Sequence, residues 1–505
     1  MGVARKILSN TIWQIIGRFS IAILSIVTLK IATNYLSISG YGQYAVTYEF
    51  LAFFSIAADM GLFTIAITEM SKDEKSIPKI IGNILTLRTL FVAATMLVAI
   101  ASVFIIPTYD GTLIPLGVSI ATLSIFFTIT NGTITSVLQA KLKMQFATIA
   151  QIIGKVVMIL GMMFVAFYMD KSDLPKAFCG MIIAGVVGNF AMLLVTYTQV
   201  RRITPLVFHL DKKFCTQVLK KSLPYGVALI LNTIYFRIDS ILLSILKDAE
   251  EVGIYAVAMR IIDAINVIPL FFMNSVLPVL TRSMSDHNTE KSKTIIRYSF
   301  DFLSALAFPF LIGAFALAYP LIFLVSSPEF LSRLDEGFYG SDIALKILMF
   351  AMALQFLSTL FMFILLSLDK QKKILYINLA AVIFNIIANI IIIPYYGFRG
   401  SAFISVLSAA IILILSAKTA YKYFKFSLNY KSTIKIILSS IVMGVFVYYA
   451  QPISYKYLQN AGLLILIPLA GVLYLSLLLA TKAVTKDMLK MLKKSDNREI
   501  ERVIQ

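Results

Sequence analysis

The sequence predicts an all-α, polytopic membrane protein of about fourteen transmembrane helices. They form two six-helix lobes in pseudo-twofold parallel repeat, with two more helices at the C-terminal end. Three observations predict this. Of 505 residues, 59% are hydrophobic and 14% charged, against roughly half and a quarter in a soluble domain. The apolar residues fall in long continuous runs, not in the short alternating segments of a membrane β-barrel. A five-residue echo, Gly42-Gln43-Tyr44-Ala45-Val46 and Gly253-Ile254-Tyr255-Ala256-Val257, opens a helix at the same place in each half of the chain.

A helix needs ~20 apolar residues to cross a bilayer. Such runs lie at 10–36, 44–70, 80–106, 114–138, 148–169, 176–199, 222–246, 253–279, 295–325, 343–367, 374–393, 399–421, 436–452 and 463–481. The first follows Arg5 and Lys6 and has no small-residue cleavage site, so it reads as a retained helix and not a signal peptide. The sixth and seventh are separated by a basic stretch that reads as a linker. Pro224, Pro269, Pro278, Pro309 and Pro320 lie in or at the ends of the seventh to ninth, where each can bend a span. Six helices separate the two echoes, and an even number makes the halves parallel repeats about an axis along the membrane normal. The expected organisation is an N-terminal lobe at 1–200, a linker at 201–221, a C-terminal lobe at 222–421, the last two helices within 422–481 and a basic tail at 482–505. Met488, Leu489, Met491 and Leu492 among the tail lysines suit an inner-surface helix as well as a solvated tail.

The net charge is +19. On a soluble protein that would suggest nucleic acid; here it sorts by side of the membrane. With the N-terminus inside, 32 of the 45 Lys and Arg fall in inside loops and ends. Outside loops hold six: Lys171, Lys176, Lys247, Arg333, Arg399 and Lys456. This asymmetry orients both ends to the cytoplasm, in a cytoplasmic membrane, with no nucleic-acid partner.

The short loops limit chemistry, since the longest outside loop runs only from Ser326 to Asp342. No G-x-x-x-x-G-K-[ST] phosphate loop is present, and Gly154-Lys155 continues into valines within a span. No D-x-D pair offers a metal site, and His209 and His287, both in predicted loops, complete no Ser-His-Asp set and no metal-ligand spacing. Cys179 and Cys215 lie in a span and in a basic loop, so no disulfide is expected. The chain reads as a transporter, not an enzyme, with no metal or cofactor and with H⁺ or Na⁺ as candidate coupling ions.

An ionisable group inside a span costs a few kcal/mol and by default faces a cavity or a partner. Arg18 lies in the first span, Asp59 near the middle of the second and Glu49 near its outer end. Arg88 is in the third, Arg237 and Asp239 are in the seventh, Arg260 and Asp263 in the eighth, and Asp301 in the ninth. Lys30, Lys155 and Lys346 are near enough to span ends to snorkel. Arg260 and Asp263, three apart, share a helix face and can neutralise one another, whereas Arg237 and Asp239 point apart. Arg18 and Arg88 have no acidic neighbour one turn away. Guanidinium groups suit phosphate, because they donate paired hydrogen bonds and keep their charge when desolvated. Arg18, Arg88, Arg237 and Arg260 are therefore the candidate headgroup cations. Asp59, Asp239, Asp263 and Asp301 are the candidates for counter-charge or a coupling ion. For each residue, a structural ion pair is the competing reading.

Several stretches resemble a known family. Asn10 to Arg18 (NTIWQIIGR) resembles its opening. Tyr41-Gly42-Gln43-Tyr44 matches its Y-G-x-Y, and Asp59-Met60-Gly61-Leu62 its D-x-G-L. Gly253 to Arg260 (GIYAVAMR) resembles its G-x-Y-x-x-A-x-R. Pro394 to Ala402 resembles its P-x-x-G-x-x-G-A-A, with Ser401 for the first alanine. In order and spacing the chain resembles the Wzx-like oligosaccharide flippases, polysaccharide biosynthesis proteins of the multidrug/oligosaccharidyl-lipid/polysaccharide exporter (MOP) superfamily. The resemblance implies two lobes of six helices plus two. It implies alternating access around a cationic cavity, and a polyprenyl-diphosphate-linked oligosaccharide as substrate for surface polysaccharide assembly. Membrane lipid and other glycan-assembly membrane proteins are the implied partners. A lipid II flippase shares the plan. A cation-coupled multidrug exporter would prefer acidic cavity residues, and a membrane glycan polymerase would need larger outside loops. A single chain holds the whole transport path, so a monomer is expected.

Overall fold

The computed structural model describes residues 3–72, 76–170 and 173–483; the basic tail beyond lies outside the described residues. Fourteen α-helices are described: α1 Val3–Tyr35, α2 Ile38–Asp59, α3 Leu62–Lys72, α4 Ile77–Ile105, α5 Ile114–Ala140, α6 Met144–Tyr168, α7 Leu174–Arg201, α8 Lys212–Leu246, α9 Ala249–Ser285, α10 Thr289–Val325, α11 Ser341–Ser367, α12 Gln371–Tyr423, α13 Tyr430–Leu458 and α14 Leu463–Ala480. Among the described residues the only β pairing is one bridge, Arg333 with Phe338.

These helices do not match the expected spans one to one. The second span is broken into α2 and α3, while the eleventh and twelfth run together as α12. Twelve helical segments among the described residues are long and apolar enough to cross a membrane. One of them is α12, whose 53 residues turn at Gly397, where φ is 54°; that length serves two spans. With α8, which carries Arg237 and Asp239, the spans number about fourteen. The chain is a multi-pass, all-α membrane protein.

The linker is shorter than its composition suggests. α8 starts at Lys212, ten residues before the expected span, because the Asp211 carboxylate caps it, accepting from the Lys213 and Phe214 amides at 3.1 and 3.2 Å. An N-cap of this kind satisfies donors the helix itself leaves open. Phe214, Cys215, Val218 and Leu219 of this added stretch pack on Leu62, Ile65, Leu87 and Phe91. The remaining linker is strapped to α4. The Asn83 side-chain oxygen accepts the Asp211 amide at 2.5 Å, and the Thr86 hydroxyl accepts the His209 amide at 3.1 Å.

The described residues divide into two compact units, one up to Gly253 and the other from Ile254. In the first, α6 packs on α7, α1 on α6, and α5 on α4 and α7. A buried cluster joins Met70 of α3, Ile81 and Ile84 of α4, Val137 and Leu138 of α5, Ala147 of α6 and Val200 of α7. In the second, α11 packs on α10 and α12. The last two helices cover α10: Ile436, Met443 and Val447 of α13 and Leu466, Tyr474 and Leu478 of α14 form one cluster with Ala305 and Leu317. Large apolar side chains such as Phe104, Phe167, Ile391 and Leu464 are exposed, as expected where lipid is the solvent.

Candidate functional site

In the first unit the charges are organised by the second span. It carries three carboxylates ten residues apart, Glu49, Asp59 and Glu69, and each meets a cation from another helix. Glu49 of α2 accepts from Arg237 of α8 at 2.9 Å. Asp59 pairs with Arg88 of α4. Glu69 of α3 pairs with Lys221 of α8 at 2.9 Å. The sequence pointed to Asp59 but to neither glutamate as a partner.

The Asp59–Arg88 pair sits on a break in the helix. Asp59 is the last residue of α2; Met60 and Gly61 follow with φ of 41° and 73°, and α3 restarts at Leu62. The left-handed region costs a side chain roughly 1–2 kcal/mol, which glycine escapes. A helix C-terminus presents unpaired carbonyls and the negative end of the dipole. Asp59 adds a full negative charge there, and Arg88 supplies the complement. Arg88 is 4% exposed, and its Nε and Nη1 meet no acceptor among the described residues. D-x-G-L therefore has a physical meaning that sequence reading missed: it is the left-handed stop of one half-helix and the anchor for an arginine.

The other predicted residues fall as follows. Arg18 is exposed on α1, beside the face where the Thr148 hydroxyl of α6 donates to the Trp13 carbonyl at 3.1 Å. Arg237 is partly exposed, whereas Glu49 is buried. Asp239 is buried further along α8. In the second unit, Arg260 and Asp263 are half-buried on α9, and Asp301 is buried on α10. The structure thus brings Arg88 to Asp59 and Arg237 to Glu49. Among the described residues no group of three or more His, Cys, Asp or Glu side chains is placed to hold a metal ion.

Outside the spans, the Phe214 backbone amide holds the Asp211 carboxyl below the usual carboxylate range, with Lys79, 3.4 Å away, adding to the effect. Burial pushes the Cys215 thiol up, and the Asp211 charge pushes it further.

Comparison with known proteins gives this arrangement a lineage. The family described as polysaccharide biosynthesis protein matches residues 7–284, and the MatE family matches residues 224–391. A Haloferax volcanii protein named "Probable flippase AglR" is 24% identical over 191 residues, which are 37% of this chain and 38% of that protein. The chain therefore spans under two fifths of that relative. Among solved structures, a lipid II flippase MurJ in an inward closed conformation superposes with a TM-score of 0.70 at 17% identity, covering 93% of this chain and 98% of that one. An inward-facing multidrug resistance MATE family transporter gives 0.64 at 15% identity, covering 82% and 99%. A MOP superfamily transporter from Pyrococcus furiosus gives 0.59 at 15% identity, covering 83% and 96%. Likeness at these identities shows the fold, and the family match spans more than half of the chain: this protein belongs to the polysaccharide biosynthesis protein family and has the fold of the MOP superfamily transporters.

Proposed function

We propose that the protein flips a polyprenyl-diphosphate-linked oligosaccharide across the cytoplasmic membrane by alternating access, for surface polysaccharide assembly. The family match over residues 7–284 carries this reading. The first unit adds chemistry that suits it. Arg18 is exposed and Arg237 partly exposed, and guanidinium groups bind diphosphate through paired, charge-assisted hydrogen bonds. Arg88 is enclosed as well as engaged with Asp59, so it serves the helix break; this reading assigns the headgroup to the more exposed Arg18 and Arg237, the latter exchanging its Glu49 contact for phosphate. The Lys and Arg asymmetry supports both ends lying in the cytoplasm. Relatives that are flippases and transporters support transport over catalysis.

The test uses inverted membrane vesicles carrying a labelled polyprenyl-diphosphate oligosaccharide of the host. Wild type accumulates label in the lumenal leaflet, and Arg18→Ala and Arg237→Ala lose transport at equal expression. A second reading, a cation-coupled multidrug exporter, draws on the MatE match over residues 224–391. Proton-driven export of cationic dyes, with no transport of any host lipid-linked glycan, would overturn the flippase reading in its favour. Transport restricted to lipid II would move the substrate to peptidoglycan precursor.

A further inference from the structure

The connection between α7 and α8 carries an apolar surface that packing within the chain leaves uncovered. Residues 203–211 are neither helix nor strand, and their side chains sort to two sides. Ile203 and Leu206 pack on the buried cluster of α3 to α7. Val207, Phe208 and Leu210 are 65%, 64% and 51% exposed. The backbone beneath them is fixed. Thr86 and Gly82 hold the His209 amide, and Asn83 holds the Asp211 amide. Gly82 lets the strap lie close, since a Cβ there would stand 2.4 Å from the Val207 carbonyl oxygen. These contacts also tell which side of α4 the strap crosses. Gly82 and Thr86 begin a stripe that continues at helical spacing through Leu90, Ala93 and Leu97, all exposed. On a membrane-spanning helix, exposed leucines face acyl chains. α4 has 29 residues, about 43 Å of helix, against a hydrocarbon core of roughly 30 Å. Gly82 lies only ~8 Å from the helix start, so the crossing falls near the boundary of headgroups and chains.

Cations bracket the apolar triplet. Arg201 and Arg202 precede the strap and Lys212 and Lys213 follow it; all four are exposed, and none makes an ion pair among the described residues. The one acid of the strap, Asp211, is already committed to capping α8 and to Lys79. Apolar side chains in the middle and cations at both rims suit the surface of an acidic leaflet. The side chains enter the acyl boundary while guanidinium and ammonium groups meet phosphate. We propose that the strap docks on the leaflet beside it and selects acidic phospholipid headgroups, with Val207, Phe208 and Leu210 inserted and Arg201, Arg202, Lys212 and Lys213 on the phosphates. Arg201 also closes α7, complementing the negative end of that helix. The strap runs directly into α8, so the bound lipid fixes the near end of the helix that carries Arg237. This docking needs only that the chain spans a membrane and does not depend on what is transported.

The chain has a single tryptophan, Trp13, which makes a fluorescence test direct. Phe208→Trp in a Trp13→Phe background places the one reporter on the strap. The full chain is reconstituted in bilayers of equal phosphatidylglycerol and phosphatidylcholine, with one or the other lipid brominated on its acyl chains near the headgroup. No transport substrate is present. Brominated phosphatidylglycerol should quench the reporter with a preference of roughly tenfold or more over brominated phosphatidylcholine, as expected when at least two cations meet acidic headgroups. Replacing Arg201, Arg202, Lys212 and Lys213 together by glutamine should bring that preference close to one. Raising KCl to about 0.5 M should reduce it in the same direction by screening. Equal quenching by the two lipids overturns the acidic selection. Quenching by neither places the strap in water, open to a soluble partner, and overturns the docking altogether. Should the fourfold variant not fold, the salt series decides, and a preference that persists unchanged at high salt overturns the headgroup contacts.

Discussion

Gly42 and Gly253, the first residues of the two sequence echoes, are packed backbone to backbone. A Cβ on Gly253 would lie 2.5 Å from the Ile38 carbonyl oxygen and 3.2 Å from the Gly42 nitrogen, and a Cβ on Gly42 would collide with the Ala249 carbonyl. The echo is thus a device for close approach, the use that membrane helices make of small residues. Both neighbours are backbone and cannot step aside.

Gly42→Ala and Gly253→Ala should each destabilise the protein by at least ~1–3 kcal/mol, the usual cost of overpacking. The thermal midpoint of the purified protein reads this out. A midpoint equal to wild type in either variant would mean that the contact relaxes freely.

The Asp59–Arg88 pair predicts an asymmetry. Removing one partner of a buried ion pair strands a charge and costs ~3–5 kcal/mol, while replacing both by apolar groups is often close to neutral. Asp59→Asn should therefore lower thermal stability far more than Asp59→Leu combined with Arg88→Met. Equal loss in the single and double variants would show that the pair contributes nothing of its own.

Glu49 and Arg237 separate a structural role from a substrate role. Exchanging the charges, Glu49→Arg with Arg237→Glu, reverses the 2.9 Å ion pair of the wild type and moves the cation to α2. If Arg237 meets the diphosphate, the exchanged protein folds normally and transports at roughly a tenth of the wild-type rate or less, the cost of about one charge-assisted hydrogen bond. Full transport by the exchanged protein would make the pair purely structural.

Asp211 predicts a pH step in the cytoplasmic strap. Its folded-state carboxyl is held down, first by the Phe214 amide, so its contribution is present above the ordinary carboxylate range. That contribution is lost as pH falls through the lowered value. Hydrogen exchange at the Lys213 and Phe214 amides, corrected for intrinsic rate, should keep its protection through the ordinary carboxylate range and lose it only at more acid pH. Asp211→Asn should show no such step; a step that survives this substitution would assign it to another group.

Much of this protein could be read from its sequence. Long apolar runs are a local property, and in a solvent without hydrogen bonds a helix is the only open structure that satisfies its own backbone. The spans and the all-α class follow from that. So does the prominence of the intramembrane charges, since each is costly wherever it lies. The boundaries of α8 were partly legible too: Asp211 before Lys212 is an N-cap signal, and Phe214, Cys215, Val218 and Leu219 form an apolar stripe. The basic residues between them masked both.

What only the tertiary structure decided was who meets whom. Glu49 for Arg237 and Asp59 for Arg88 are relations between groups far apart in sequence, each set by a neighbouring helix. Periodicity fixes which face of a helix a residue occupies, but not which helix will cover that face. That choice is made by packing, where steric fit and the cost of an unpaired charge are settled together.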